Sequence, residues 1–144
     1  MSSNGDRAAI LTRALHARFV GDRDALTEIY TDDVRAWAPG LAVTSRSDLL
    51  TEFDRRDEWF SEFAIEVAAL DVSGDYACAE WSVSMTHSGP IALAGGQVVE
   101  PTGVRLTVNG VTIAEFRESR ICSFRQYWDE LSIFDQLGLF ASGG

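Results

Sequence analysis

The first sixty residues carry apolar side chains at the spacing of α-helices. One helical face collects four of them: Leu11, Ala14, Leu15 and Phe19. This period predicts a helix over residues 6–20. Asp22 can cap a short second helix, and a third is predicted to begin after Ser45 and to end near Trp59.

The later segments alternate apolar and polar positions, which is the period of β-strands. Residues 31–33 are predicted as a turn that precedes a short strand from Val34 to Ala38. Four longer strands follow in the prediction, over residues 63–72, 76–87, 104–117 and 120–131. A loop rich in Gly and Pro, residues 88–103, interrupts them, and a loop of this length is typical of a pocket rim.

The dipeptide Asn109-Gly110 lies within one predicted strand and leaves two interpretations open. Asn-Gly between alternating apolar residues is the strongest short-range signal for a hairpin, which would divide residues 104–117. The other interpretation is one long strand with a bulge or bend at Gly110. We favour one strand, because Glu118-Ser119 provides a better turn.

The composition indicates one ordinary domain with enough chain for a hydrophobic core. The chain has 144 residues, of which 46% are hydrophobic and 24% charged. We treat residues 1–144 as a single domain and expect residues 1–5 and 141–144 to be flexible termini. The sequence has no long apolar segment and no N-terminal signal pattern, so we expect a cytoplasmic protein without contact to membranes.

The charged residues narrow the classes of function. The formal net charge is −10, and the sequence contains no Lys. Nucleic acid is therefore an unfavourable partner, and Schiff-base catalysis is excluded. Neither the two Cys nor the two His residues have the spacing of a metal site, so we expect no metal ion.

The last predicted strand carries a carboxylate, Asp129, beside aromatic residues. Strict alternation divides its side chains between two faces, the first with Ile121, Ser123, Arg125, Tyr127 and Asp129, the second with Cys122, Phe124, Gln126 and Trp128. A carboxylate on a largely buried strand is costly unless it is paired, hydrogen-bonded or protonated. Asp129 is therefore the first candidate for a catalytic residue, and the alternative is a carboxylate that caps the next turn.

The succession of helices, a curved sheet and an aromatic strand with an acid resembles the nuclear transport factor 2 superfamily, above all its SnoaL-like polyketide cyclase branch. The resemblance covers roughly residues 6–140 and is carried by three segments: Ile29-Tyr30-Thr31-Asp32-Asp33-Val34, Thr86-His87-Ser88-Gly89, and Tyr127-Trp128-Asp129-Glu130-Leu131 with Gln136-Leu137-Gly138. It implies an α+β cone, in which N-terminal helices pack in the concavity of a strongly bent, mainly antiparallel mixed sheet. A mostly apolar pocket is implied at the open end.

The resemblance also implies an activity. In the cyclases an aspartate on the last strand abstracts a proton next to a carbonyl group, and Asp129 has the matching position. The expectation is a cofactor-free acid/base enzyme, cyclase- or isomerase-like, that acts on a small apolar, carbonyl-bearing molecule. A non-catalytic binding or sensing domain is the alternative, and a protein–protein module is a third possibility.

These considerations give a predicted site. Asp129 and His87 are its candidate catalytic residues, and the substrate pocket is predicted from five residues: Trp37, Phe63, Trp81, Met85 and Tyr127. Phe124 and Trp128 lie on the opposite face of the last strand, and one domain of this layout leaves their apolar side chains exposed. This predicts a homodimer through the convex face of the sheet.

Overall fold

The computed structural model describes residues 4–93 and 95–139. Its helices are α1 (Asn4–Val20), α2 (Arg23–Ile29), α3 (Arg46–Arg56) and α4 (Glu130–Gln136). Its strands are β1 (Tyr30–Ala38), β2 (Leu41–Val43), β3 (Phe60–Ser73), β4 (Tyr76–His87), β5 (Ile91–Ala92), β6 (Val98–Val99), β7 (Arg105–Arg117) and β8 (Arg120–Trp128). The predicted flexible segment 141–144 lies outside the described residues, as do residues 1–3, whereas Asn4 and Gly5 begin α1.

The main sheet has six strands in the order β2-β1-β8-β7-β4-β3, and β5 and β6 form a separate small pair. β1 and β8 run parallel, while the other neighbours are antiparallel. The sheet is mixed, strongly curved and open, and α1–α3 precede most of it in the chain, which confirms the predicted α+β cone. No described helix has the length and apolar character needed to cross a bilayer.

The predicted starts of α2 and α3 are confirmed, since each is marked by a capping hydrogen bond between residues close in the chain. The carboxylate of Asp22 accepts a bond of 3.0 Å from the Ala25 amide at the start of α2. The Ser45 hydroxyl accepts one of 3.1 Å from the Asp48 amide at the start of α3. The predicted turn at residues 31–33 is wrong. β1 continues through these residues, where Asp32 and Asp33 are exposed and the register with β8 shifts.

The direction of α1 defines two ends of the fold. Near its start, Arg7 forms an ion pair of 2.9 Å with Asp75 in the β3–β4 turn. Near its end, the ring of Phe19 lies 5.1 Å from that of Phe63, early in β3. The helix therefore runs from the turn end of the sheet to the end where β4 and β8 finish, which we call the open end.

β7 is one strand, as predicted. Its register with β4 is unbroken from Tyr76↔Glu115 to Thr86↔Arg105, so Gly110 marks neither a hairpin nor a bulge. Gly110 allows a close approach instead. A Cβ atom there would lie 2.5 Å from Cη2 of Trp81 and 2.8 Å from the Tyr127 carbonyl oxygen.

The two faces of β8 are reversed relative to the prediction beyond Cys122. The register with β7 passes from Phe116↔Ile121 to Glu115↔Ser123, so Cys122 is the extra residue of a bulge. A one-residue shift transfers every later side chain to the other face. Phe124 is consequently buried in the core, with its ring 5.5 Å from that of Tyr30.

Candidate functional site

The structure separates the residues that the sequence predicts for the site. Trp81, Met85 and His87 are buried on the inner face of β4, and the partly buried Phe63 packs against the core. Trp37 and Tyr127 lie on the outer face, 44% and 47% exposed, with their rings 5.2 Å apart. The prediction that these two line the inner pocket is therefore wrong.

Asp129 is exposed and caps α4. Its Oδ1 accepts a hydrogen bond of 3.0 Å from the Ser132 amide. The predicted burial of Asp129 in an apolar pocket is wrong, because β8 ends at Trp128 and the chain turns into a helix there. The alternative, a cap of the next turn, describes the geometry. A role of Asp129 in turnover stays a prediction.

The cap gives a testable difference between two variants. Asp129→Ala removes the acceptor for the first turn of α4, so we expect the free energy of unfolding to fall by about 1 kcal/mol. Asp129→Asn keeps a good N-cap acceptor and should stay within about 0.3 kcal/mol of the wild type. Chemical denaturation of both variants measures this difference. An equal loss in the two variants would contradict the capping role.

His87 is fully buried and holds the loop that follows β4. The hydroxyl and the amide nitrogen of Thr102 both lie at hydrogen-bonding distance from Nδ1 of His87, at 2.9 and 3.2 Å. Backbone bonds of 2.9 Å from His87 to Val104 and from Gly103 to His87 attach the loop on both sides. Since His87 has 0% exposure, it contacts no solvent-filled space, and we interpret it as an anchor of the loop.

The predicted catalytic pair does not come together. His87 lies six residues along β4 from Trp81, or about 20 Å on an extended strand. Asp129 follows Trp128, the last residue of β8, which pairs with Gly110, and Gly110 in turn pairs with Trp81. Asp129 and His87 therefore belong to different parts of the sheet.

A different part of the inner face is accessible. Gln126 and Trp128 follow Phe124 on the inner side of β8, a strand in the middle of the sheet. Phe124 is 3% exposed, whereas Gln126 and Trp128 are only partly buried. Both side chains therefore remain partly accessible to solvent on this face.

A buried hydrogen-bond network holds the side-chain amide of Gln126 in place. The Thr112 hydroxyl oxygen accepts bonds from the Trp81 indole N–H at 2.8 Å and from Gln126 Nε2 at 3.0 Å. Thr112 is 3% exposed, so these bonds lie in the protein interior and fix the Gln126 side chain. The carbonyl oxygen of the Gln126 amide is thereby oriented as an acceptor.

Two indole rings border this network. The absence of a side chain at Gly110 lets the Trp81 ring cross β7, and Trp128 pairs directly with Gly110 on the neighbouring strand. The Trp128 indole N–H donates to Glu130 at 3.2 Å, at the edge of the site. Trp81 is 4% exposed and belongs to the core, so it is the partly exposed Trp128 ring that supplies planar apolar surface beside Gln126.

Arg56, the last residue of α3, lies next to the Trp128 ring. Its guanidinium carbon lies 5.7 Å from the centre of the Trp128 ring, and its Nη2 donates to the Pro39 carbonyl at 2.9 Å. Burial lowers the pKa of the Arg56 guanidinium, and the positive charge of Arg18 lowers it further. We call Trp81, Thr112, Gln126, Trp128 and Arg56 together the inner β8 site.

A second arginine, Arg18, lies near this site and is paired with a carboxylate. Arg18 is largely buried, lies 4.3 Å from the Phe53 ring centre and pairs with Asp57 at 2.8 Å. Burial raises the pKa of the Tyr30 hydroxyl, which the charge of Arg18 partly opposes. Among the residues that the structure describes, no Asp or Glu is buried.

Sequence reasoning missed four of the five members of the site. Gln126 and Trp128 were assigned to the outer face because the bulge at Cys122 has no local signal. Thr112 and Arg56 look like an ordinary strand threonine and an ordinary basic residue at the end of a helix. One sequence signal links part of the site. Phe124, Gln126 and Trp128 are spaced two residues apart, so they share one face of β8, and the burial of Phe124 shows that this face is the inner one.

Comparison with known proteins places this geometry in a family context. The SnoaL-like domain family matches residues 4–124, which confirms the resemblance seen in the sequence. A search of curated proteins finds no match.

Several solved structures share the fold. A proposed SnoaL-like polyketide cyclase from Jannaschia sp. CCS1 has a TM-score of 0.82 and 20% identity, with 95% of this chain and 96% of that chain covered. IdmH from Streptomyces antibioticus, a proposed polyketide cyclase, has a TM-score of 0.78 and 21% identity, with 92% and 98% covered. An LEH-like epoxide hydrolase of M. tuberculosis has a TM-score of 0.72 and 17% identity, with 96% and 95% covered. At these identities the likeness shows the fold alone.

Proposed function

Because the chain belongs to the SnoaL-like domain family, we propose that it binds a small apolar, carbonyl-bearing molecule at the inner β8 site. The observation that carries this proposal is the access to Gln126 and Trp128 on the inner face of a central strand. The partly exposed indole of Trp128 provides apolar contact, and the Gln126 amide provides a polar partner that is fixed by Thr112. Binding sites for small molecules commonly combine an apolar lining with a few polar groups in fixed positions.

Binding without turnover is the function that the described residues support best, since no Asp or Glu among them is buried. Cofactor-free acid/base catalysis is the second candidate. It is favoured by the position of Arg56 beside Trp128, because a guanidinium can stabilise the negative oxygen of an enolate. The proton would then pass to Asp129, the residue that the family resemblance implies.

The binding proposal is tested with 2-acetonaphthone, a planar apolar ketone, as the probe. We expect the wild type to bind it and Gln126→Leu to bind it about 3- to 10-fold more weakly, through loss of one hydrogen bond. Ser123→Ala, on the outer face of the same strand, is the matched control and should leave affinity unchanged. Titration calorimetry measures all three dissociation constants. Absent binding to the wild type, or an equal loss in the control, would contradict the proposal.

The outer face of the sheet supports a homodimer, with a centre different from the predicted one. Phe124 and Trp128 lie on the inner face, so they cannot form the centre. We propose Trp37 and Tyr127 instead, which are exposed next to a shallow groove of about 90 Å³. The groove is lined by Tyr76, Ile113, Glu115, Ser123 and Arg125, so it carries both charges and can complement a second copy of itself.

The dimer is tested by placing charges at its proposed centre. The double variant Trp37→Asp, Tyr127→Asp should be folded and monomeric in sedimentation, because two exposed aromatic side chains are replaced without loss of core contacts. Thr107→Asp, on the exposed side of β7, should keep the wild-type mass. A wild type that is already monomeric at tens of micromolar would overturn this proposal.

A further inference from the structure

Arg56 differs from the other arginines of the described chain in its charge environment. Seven arginines form ion pairs within 4.0 Å of a carboxylate: Arg7, Arg13, Arg18, Arg23, Arg46, Arg55 and Arg117. The arginines without such a pair are exposed, with the exception of Arg56. Arg56 is thus a partly buried cation without an ion pair among the described residues.

The hydrogen bonds of Arg56 are also incomplete. Its Nη2 donates to the Pro39 carbonyl at 2.9 Å, but its Nε is buried without a partner among the described residues. A buried donor on a charged group is costly to leave unpaired. The Arg56 guanidinium therefore keeps hydrogen-bond donors that no described residue satisfies.

The carboxylates around Arg56 are engaged by other donors. Glu52 and Glu130 contribute to its electrostatic environment. Glu52 accepts two bonds from Arg55, at 2.7 and 3.2 Å, and Glu130 accepts the Trp128 indole N–H at 3.2 Å. Asp57 is paired with Arg18. The guanidinium of Arg56 therefore keeps positive charge that no described side chain neutralises directly.

We propose that Arg56 binds the carboxylate of the ligand, so that the ligand class is a planar apolar carboxylic acid. This inference rests on the proposed function, since it concerns the same site. The apolar body lies against the partly exposed ring of Trp128, and the carboxylate pairs with the guanidinium, whose planar fork suits carboxylate geometry. Gln126 then contacts a second oxygen of the molecule.

The net charge of the chain does not oppose this assignment. The formal charge of −10 repels anions at a distance, but exposed charges are screened beyond about 8 Å at physiological ionic strength. Within that distance the site is bordered by Arg56, and Arg18 lies close enough to affect its pKa. The local cations therefore decide which ligand is bound.

The test compares two probes of similar shape, 2-naphthoate and the neutral 2-acetonaphthone. We expect the wild type to bind the naphthoate more tightly. Arg56→Met should weaken naphthoate binding about 10- to 100-fold, the effect of a lost charged hydrogen bond. Its affinity for 2-acetonaphthone should change by less than about 3-fold. Arg56→Lys should restore part of the naphthoate affinity.

Two further variants separate charge from folding. Arg13→Met changes the net charge by the same amount at an exposed residue of α1, paired with Glu28, and should bind both probes like the wild type. Arg56→Gln removes the charge and keeps an N–H donor for Pro39, so it replaces Arg56→Met if that variant does not fold.

The outcomes distinguish the two proposals. If the wild type binds 2-acetonaphthone in a Gln126-dependent manner but naphthoate binding is unaffected in the folded Arg56 variants, the carboxylate assignment is overturned and the proposed function stands. If the wild type binds neither probe, the proposed function fails and this inference fails with it. Equal weakening by Arg13→Met would show a general charge effect and would also overturn the assignment.

Discussion

Replacing Gly110 with alanine is expected to lower the free energy of unfolding by about 3 kcal/mol, the upper range for overpacking of a core. The new Cβ would lie 2.5 and 2.6 Å from two atoms of the Trp81 ring and 2.8 Å from the Tyr127 carbonyl oxygen. The ring can relax only by leaving its bond to Thr112, and the carbonyl belongs to the sheet backbone. Chemical denaturation measures the loss, and ligand binding at the inner β8 site should fall with it.

Two controls isolate the contact with the indole. Asn109→Ala, one residue earlier on the exposed face, should change stability by less than about 0.5 kcal/mol. In a Trp81→Phe background the smaller ring makes part of the space available, so Gly110→Ala should cost less there than in the wild type. The same cost in both backgrounds would show that Trp81 is not what requires a glycine.

Replacing Gly89 with alanine is expected to cost about 2–4 kcal/mol and to release the loop after β4. A Cβ there would lie 1.7 Å from the Glu58 carbonyl oxygen, which is backbone and cannot turn aside. The clash would separate residues 88–89 from the segment between α3 and β3, where the amides of Ser88 and Gly89 donate to the Trp59 carbonyl at 3.1 and 3.0 Å. Hydrogen exchange at these two amides and a thermal melt measure the effect.

The matched control for Gly89 is Ala92→Ser, at an exposed residue of the same loop. It should leave exchange at Ser88 and stability unchanged within about 0.5 kcal/mol. Wild-type protection of the Ser88 amide in Gly89→Ala would contradict the close crossing of the two segments.

The parts of the fold that depend on neighbours in the chain were predictable. The caps at Asp22 and Ser45 are hydrogen bonds to the amide three residues later. Both partners are therefore close together in the sequence. β4 was predicted with its exact bounds, because a strict alternation of apolar residues continues through nearly its full length. The family resemblance supplied the arrangement of these elements in a cone.

The faces of β8 could not be predicted from alternation. The bulge at Cys122 arises where β8 pairs with β1 on one side and β7 on the other, and the sequence Ile121-Cys122-Ser123 has no Gly or Pro to mark it. One extra residue reversed the expected orientation of each later side chain. Gln126 was thereby missed, and Tyr127 was placed inside.

Gly110 and Arg56 show the same limit at longer range. The hairpin signal of Asn109-Gly110 was overridden because a ring from Trp81, on the neighbouring strand, occupies the space above the glycine. The environment of Arg56 is set by Pro39 and Trp128, which are far from it in the chain. A sequence pattern records which residues are present, and these contacts depend on which strands become neighbours.

The most direct test of the inner β8 site is a crystal structure of the protein with 2-naphthoate. We predict electron density for the ring system against the exposed face of Trp128, with the carboxylate at hydrogen-bonding distance from the Arg56 guanidinium and an oxygen near the Gln126 amide. Density on the outer face against Trp37 and Tyr127, or a ring system inside the cone with its carboxylate turned away from Arg56, would contradict this account.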